Sequence, residues 1–144
     1  MQNRTVYCGA TFDVLHAGHV NFLRQCKEIA GSGKVVVSLN TDEFIRSYKG
    51  HNPVFSYDER KKLLEQLEYV DEVIPNTGGS DSKPAILKVK PKFIVVGSDW
   101  ASKDYYSQME FTQDWLDKQG IILIYVPYTL LISTSEIKKR IKNG

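Results

Sequence analysis

The chain has 144 residues, 42% of them hydrophobic and 25% charged, with a formal net charge of +2. That describes a single domain, 1–144, with room for a proper core, and a charge too small to argue for a nucleic-acid or membrane surface. Cys8 and Cys26 are the two cysteines and make no disulfide framework. The opening stretch "MQNRTVYCGA" has no apolar leader core, and no run approaches membrane-spanning length. The expectation is a cytoplasmic enzyme or binding domain with no nucleic-acid and no membrane partner.

In chain order, five short β-branched runs recur: "RTVYC", "KVVVSLN", "DEVIP", "KFIVVG" and "IILIYV". They are nearly continuous apolar runs, which suits parallel strands covered on both faces. Helical patterns lie between them. "HVNFLRQCKEIA" carries Val20, Leu23, Cys26 and Lys27 at helical spacing and stops at "GSG". "SYDERKKLLEQL" opens with Ser56 and Glu59 in capping-box spacing and is expected to bury Leu63, Leu64 and Leu67. "EFTQDWLDKQG" ends at Gly120, and "STSEIKKRIKNG" opens with a second capping box, Ser133 to Glu136. The segments 48–55 and 76–84 are rich in turn residues and read as loops. The alternation predicts an α/β, Rossmann-like doubly wound sheet, mostly parallel, of about five strands with helices on both faces.

Ligands of such folds bind beyond the carboxyl ends of the strands, at a topological switch point. The stretches there are "GATFD", "NTDEF", "GSDW" and "PYTLLISTSE". Gly9 permits close backbone approach. The helix that follows is expected to begin near Ala17 or Gly18, where free N–H groups and the dipole favour an anion. His16 and His19 would lie on one side of its first turn. Their spacing suits a phosphate clamp, and it equally suits structural packing. Zinc is disfavoured, because no Cys/His cluster supplies further ligands and His51 stands apart in a loop. "GSGK" lacks the spacing and the hydroxyl of a phosphate loop and reads as a helix stop. Lys49, placed in a loop, is either a solvated lysine or a hand over a phosphate. Arg60 shares a helical face with leucines, where it either snorkels or turns its fork to an anion. Gly97, Asp99 and Trp100 form a strand-end turn able to meet a hydroxyl and a ring. Ser133, Thr134 and Ser135 cap a helix and offer a second phosphate seat.

Taken together, "GATFDVLHAGH" resembles the HxGH signature of the nucleotidyltransferase superfamily, and "ISTSEI" resembles its second signature, [ST]-x-[ST]-[ST]-x-I. "NTDEF", "ERK…YVDEVIP" and "VGSDW" fit between them, so the likeness runs nearly end to end and is nearest the glycerol-3-phosphate cytidylyltransferase group. The resemblance implies transfer of CMP from CTP to a phosphorylated alcohol, with Mg²⁺ travelling on the nucleotide, a homodimer, and a place in cell-envelope biosynthesis. It implies that His16 and His19 contact the triphosphate. Gly9, Ala10, Thr11, Phe12, Gly97, Asp99, Ser133, Thr134 and Ser135 would line the nucleotide site. Lys49 and Arg60 would serve as further catalytic groups and, with Asp13, Asp99 and Trp100, would meet the acceptor. Two features depart from the pattern. Tyr128 stands where an arginine is common, so that its contact is either missing or supplied elsewhere, by Lys138 or Arg140, and Ala10 is an extra residue in the first signature. "YKGHNPVFSYDER" resembles the heptose-phosphate adenylyltransferases, which keeps ATP and a sugar phosphate as the alternative, beside a nucleotide-sensing domain without catalysis.

Overall fold

The computed structural model describes residues 3–99, 103–127 and 134–143. Five strands form one sheet: β1 (Val6–Ala10), β2 (Val35–Leu39), β3 (Glu72–Pro75), β4 (Phe93–Gly97) and β5 (Ile122–Val126). Their order is β3-β2-β1-β4-β5, and every adjacent pair is parallel. All five expected runs are strands.

Period-two side-chain alternation divides the core between the two faces of this sheet. Val6, Cys8, Val35, Val37, Leu39 and Val95 pack with Leu23, Cys26 and Ala30 of helix α1 (Ala17–Ala30) and Leu64 of a later helix. The alternate residues Tyr7, Val36, Ile94 and Val96 pack with Ile86, Phe111 and Leu116 on the other side. Because both faces are covered, β2 is buried along its whole length.

The remaining helices are α2 (Asp42–Lys49), α3 (Tyr57–Glu65), α4 (Lys83–Val89), α5 (Tyr105–Met109), α6 (Gln113–Gln119) and α7 (Thr134–Asn143). Three of them, α2, α4 and α5, lie in segments read as loops or left unassigned. Thr41 and Asp104 cap α2 and α5 through their side chains, and Pro84 sits in the first turn of α4, where its missing N–H costs nothing. The Ser56–Glu59 capping box forms as expected. Leu63 does not join the core: Arg60 and Leu64, four apart, hold the inward face of α3, and Leu63 is exposed. Gly31 ends α1 with φ +58, so "GSG" is a helix stop.

One detail of register shapes the site. β1 pairs with β2 over all five residues, but with β4 only at Val6–Phe93 and Tyr7–Ile94. Beyond those pairs β1 and β4 part, and the strand order reverses at this gap. A crevice at the carboxyl edge follows from that divergence.

Candidate functional site

A cavity of about 350 Å³ occupies the gap. Gly9, Ala10, Thr11, Phe12 and Asp13 wall one side and Val95, Val96, Gly97 and Asp99 the other, with His19, Phe22, Lys49 and Thr134 closing it. Gly9 stands close under Tyr7: a Cβ there would meet the Tyr7 hydroxyl at 3.2 Å.

The loop from β1 into α1 is strained. Phe12 and Val14 adopt φ of +49 and +51, a left-handed region that a β-branched residue rarely enters. Such conformations persist only where their surroundings over-determine them, and they cluster at functional sites. Here the surroundings are two buried charged side chains. Arg60, 1% exposed, donates to the carbonyls of Thr11, Asn40 and Phe55 at 2.9–3.0 Å and pairs with the Asp42 carboxylate at 2.7 Å. Asp13, 5% exposed, accepts the amides of Val54 and Phe55 at 2.7 and 2.9 Å. Burial alone would raise its pKa, yet those two amides and the ammonium of Lys138, 3.5 Å away, hold it below the usual carboxylate range.

His16 and His19 frame the start of α1. The Gly18 amide donates to His16 Nδ1 at 3.0 Å, and the His16 amide donates to His19 Nδ1 at 3.2 Å, so the two rings cap the helix in place of the usual Ser and Glu. With both Nδ1 atoms accepting, each neutral ring carries its proton on Nε2. The rings stack at 3.7 Å between centroids. Burial, and then the charge of the neighbouring ring, draw the His19 pKa down to about 3 against the weaker pull of Asp13; burial also lowers His16. Both are neutral Nε2–H donors at pH 7. His16 Nε2 is buried and has no hydrogen-bond partner among the described residues. A buried donor in that state is costly unless something accepts from it.

The expected residues fall into three groups. Gly9, Ala10, Thr11, Phe12, Asp13, His19, Lys49, Gly97, Asp99 and Thr134 meet at the cavity. His16, Arg60 and Ser135 do not wall it: His16 stacks on His19, Arg60 grips the loop from behind, and Ser135 is exposed. Against the expectation of an anion-binding fork, the Arg60 guanidinium is taken up by carbonyls and Asp42; likewise both Asp13 oxygens serve the 54–55 amides. Trp100, Ser133 and Tyr128 lie outside the described residues. Lys49 is not in a loop but in the last turn of α2, which places it at the cavity's edge, with its ammonium 5.7 Å from the centre of the Tyr48 ring. Of the substitutes considered for an arginine near Tyr128, Lys138 reaches Asp13, and Arg140 pairs with Glu136 on its own helix at 3.5 Å.

Sequence reasoning missed Asn40 and Asn76. Asn40 donates to Thr11 Oγ1 at 3.1 Å, and Asn76 donates to Asn40 Oδ1 at 3.0 Å. Each is the first residue after a strand, which is the signal that marked the other pieces. No group of three or more His, Cys, Asp or Glu side chains able to hold a metal exists among the described residues, and no described helix is long and apolar enough to cross a membrane.

Residues 7–140 match the family model described as cytidylyltransferase-like. The glycerol-3-phosphate cytidylyltransferase of Bacillus subtilis (strain 168) is 36% identical over 131 residues, 91% of this chain and 92% of that protein. The FAD synthase of Thermococcus kodakarensis is 33% identical over 141 residues, 94% and 90% respectively. A solved structure, the lipopolysaccharide core biosynthesis protein of Thermoplasma volcanium, superposes with a TM-score of 0.69 at 29% identity, over 89% of this chain and 98% of that one. The chain therefore belongs to the cytidylyltransferase-like family and is a nucleotidyltransferase.

Proposed function

We propose that the chain transfers CMP from CTP to a phosphorylated alcohol and releases pyrophosphate. The observation that carries this reading is the histidine pair: two neutral Nε2–H donors at a helix N-terminus, one of them buried without a partner, beside a cavity at the switch point. Such an array suits a triphosphate and the charge that builds on its leaving group.

The acceptor's phosphate oxygen attacks the α-phosphorus in line. A new P–O bond forms as the α–β bridging bond breaks, and pyrophosphate leaves with the electron pair. No covalent intermediate is needed, so the protein's work is positioning and charge stabilisation. His19 donates to the triphosphate from the cavity wall, and His16 sets the ring of its partner and adds its own Nε2–H. Lys49 neutralises phosphate charge from the end of α2. Thr134 opens α7 at the same wall, where the positive end of the helix dipole favours the β- and γ-phosphates. Mg²⁺ would travel on the triphosphate as part of the nucleotide substrate.

Similarity to glycerol-3-phosphate cytidylyltransferases supports CTP and makes glycerol 3-phosphate the first acceptor to test. Similarity to the FAD synthase of Thermococcus kodakarensis, equally long in coverage, supports a second reading: adenylyl transfer from ATP to a flavin phosphate. A matrix of the four nucleoside triphosphates against glycerol 3-phosphate, flavin mononucleotide and several sugar phosphates, read by pyrophosphate release, separates them. CTP-dependent release with a phospho-alcohol upholds the leading reading. ATP preference selects the second, and silence across the matrix refutes both.

A further inference from the structure

The two edges of the sheet are guarded unequally. An outer strand leaves a row of backbone N–H and C=O groups open to another strand, and proteins blunt such edges with charge, proline or short length. β3 carries those guards: it has four residues, with Glu72 and Pro75 exposed at its ends. β5, on the opposite edge, carries none. Its five residues, "ILIYV", include no charge, glycine or proline, and Ile122 and Tyr125 are 47% and 37% exposed.

The ladder with β4 fixes which groups of β5 point outward. Ile122 lies opposite Phe93, and its amide donates to the Lys92 carbonyl at 2.9 Å. Successive residues of a strand address opposite neighbours. Ile122, Ile124 and Val126 therefore serve β4, while the amides and carbonyls of Leu123 and Tyr125 face away from the last strand of the sheet. Neither end of that row can extend it. The Ile121 amide is taken by the Leu116 carbonyl at 2.9 Å, Pro127 has no N–H, and the Pro127 carbonyl accepts from Gln25 at 3.0 Å. The outward set is thus Leu123 and Tyr125, symmetric about Ile124.

That symmetry selects the occupant. A second copy related by a two-fold axis through Ile124 runs antiparallel and sets Leu123 opposite the partner's Tyr125. Each such pair exchanges both of its N–H···O bonds, so all the outward groups of both residues are satisfied. The Tyr125 ring lies beside the partner's Leu123, and Ile122 faces the partner's Val126. No like charges meet within the strands, because β5 has no charged side chain. On β3 the same rotation would bring the exposed Glu72 of each copy into the seam.

We propose that β5 is an interface between two copies of this chain, paired antiparallel about Ile124 into one continuous sheet. Five residues a side make a small contact, which places the dimer in the weak, reversible class.

Sedimentation of the full chain between about 1 and 500 µM is expected to show a monomer–dimer equilibrium with a micromolar midpoint. Tyr125→Pro deletes one outward N–H at a position where an edge strand tolerates proline, and should weaken the dimer about tenfold or more. Ile122→Lys supplies the missing guard and should weaken it too; at its half-exposed site it decides the matter should Tyr125→Pro fail to fold. Register has its own readout. Ile124→Cys sets two thiols across the axis with α-carbons about 4.5 Å apart, within disulfide reach. Oxidised glutathione, which accepts the two electrons, should then link the copies on a non-reducing gel. Ile122→Cys, roughly 13 Å from its own counterpart, should link them far less. A monomer at every concentration overturns the proposal. So does a dimer that Ile122→Lys leaves unchanged, or linking through Ile122→Cys as strong as through Ile124→Cys.

Discussion

Arg60 offers the sharpest test, because two roles for it lead to opposite results. If it supports the loop rather than the substrate, substitution should act first on stability. Arg60→Met keeps most of the volume and removes the fork. The carbonyls of Thr11, Asn40 and Phe55 then lose their donor, and Asp42, about a third exposed, loses its ion-pair partner. Breaking a buried pair by removing one member costs about 3–5 kcal/mol. Asp42 can rehydrate, which favours the lower figure; relaxation of the left-handed Phe12 and Val14, each storing roughly 1–3 kcal/mol, would offset part of the loss while it deforms the site. Set against a domain stability of about 5–15 kcal/mol, the expected loss is a large fraction. Arg60→Lys keeps the charge but not the fork, so it should recover only part of the stability and part of the activity. Urea unfolding followed by circular dichroism gives the two stabilities, and pyrophosphate release gives kcat and KM. A lysine variant as stable as the parent but about a hundredfold slower would place the guanidinium on a substrate phosphate and refute the supporting role.

Further predictions concern the other charged groups. His19→Ala should lower kcat by on the order of 10²-fold, as loss of one transition-state donor does; steady-state rates check it, and a change confined to KM would oppose it. Acid should destabilise the ligand-free protein. His16 and His19 have folded pKa values below the free histidine value of 6.5, so the unfolded chain binds more protons, and stability present above pH 6.5 is lost as pH falls toward 3, at no more than about 1.4 kcal/mol per pH unit for each ring. Urea midpoints between pH 7 and pH 4 test this, and a flat profile would contradict it. Asp13→Ala should release the 54–55 amides and cost about 2–3 kcal/mol, in line with charge-assisted hydrogen bonds, with protease cleavage near residues 51–55 as the readout.

Much of this architecture is legible in the chain. Five β-branched runs produce five strands because burial on both faces demands continuous apolar residues, and the alternation of strand and helix patterns leaves little choice of fold. The cavity wall was legible too, since polar and glycine residues directly after strands have no packing reason to be there. What could not be read is direction. Arg60 lies on the apolar face of α3 whether it looks toward an anion or toward backbone carbonyls; only the left-handed loop it grips, 49 residues away in sequence from Thr11 to Arg60, decides between them. Helix α2 escaped notice because eight residues carry a single buried side chain, Ile45, too little periodicity to register. Asn76 lay in a segment read as a loop, and its meaning depends on Asn40, 36 residues earlier, which no local pattern connects.

The tie between Asp13 and α7 bears on when the protein becomes competent during its own synthesis. Thr134 Oγ1 donates to the Asp13 carbonyl, and Lys138 pairs with the Asp13 carboxylate, across more than a hundred residues of chain. Neither core cluster contains any residue of α7, and α7 buries none of its own. A nascent chain complete through β5 thus has its sheet and both cores but lacks one wall of its cavity. Synthesis of the two cores therefore precedes completion of the site, and the nucleotide cavity gains Thr134 only once α7 has emerged.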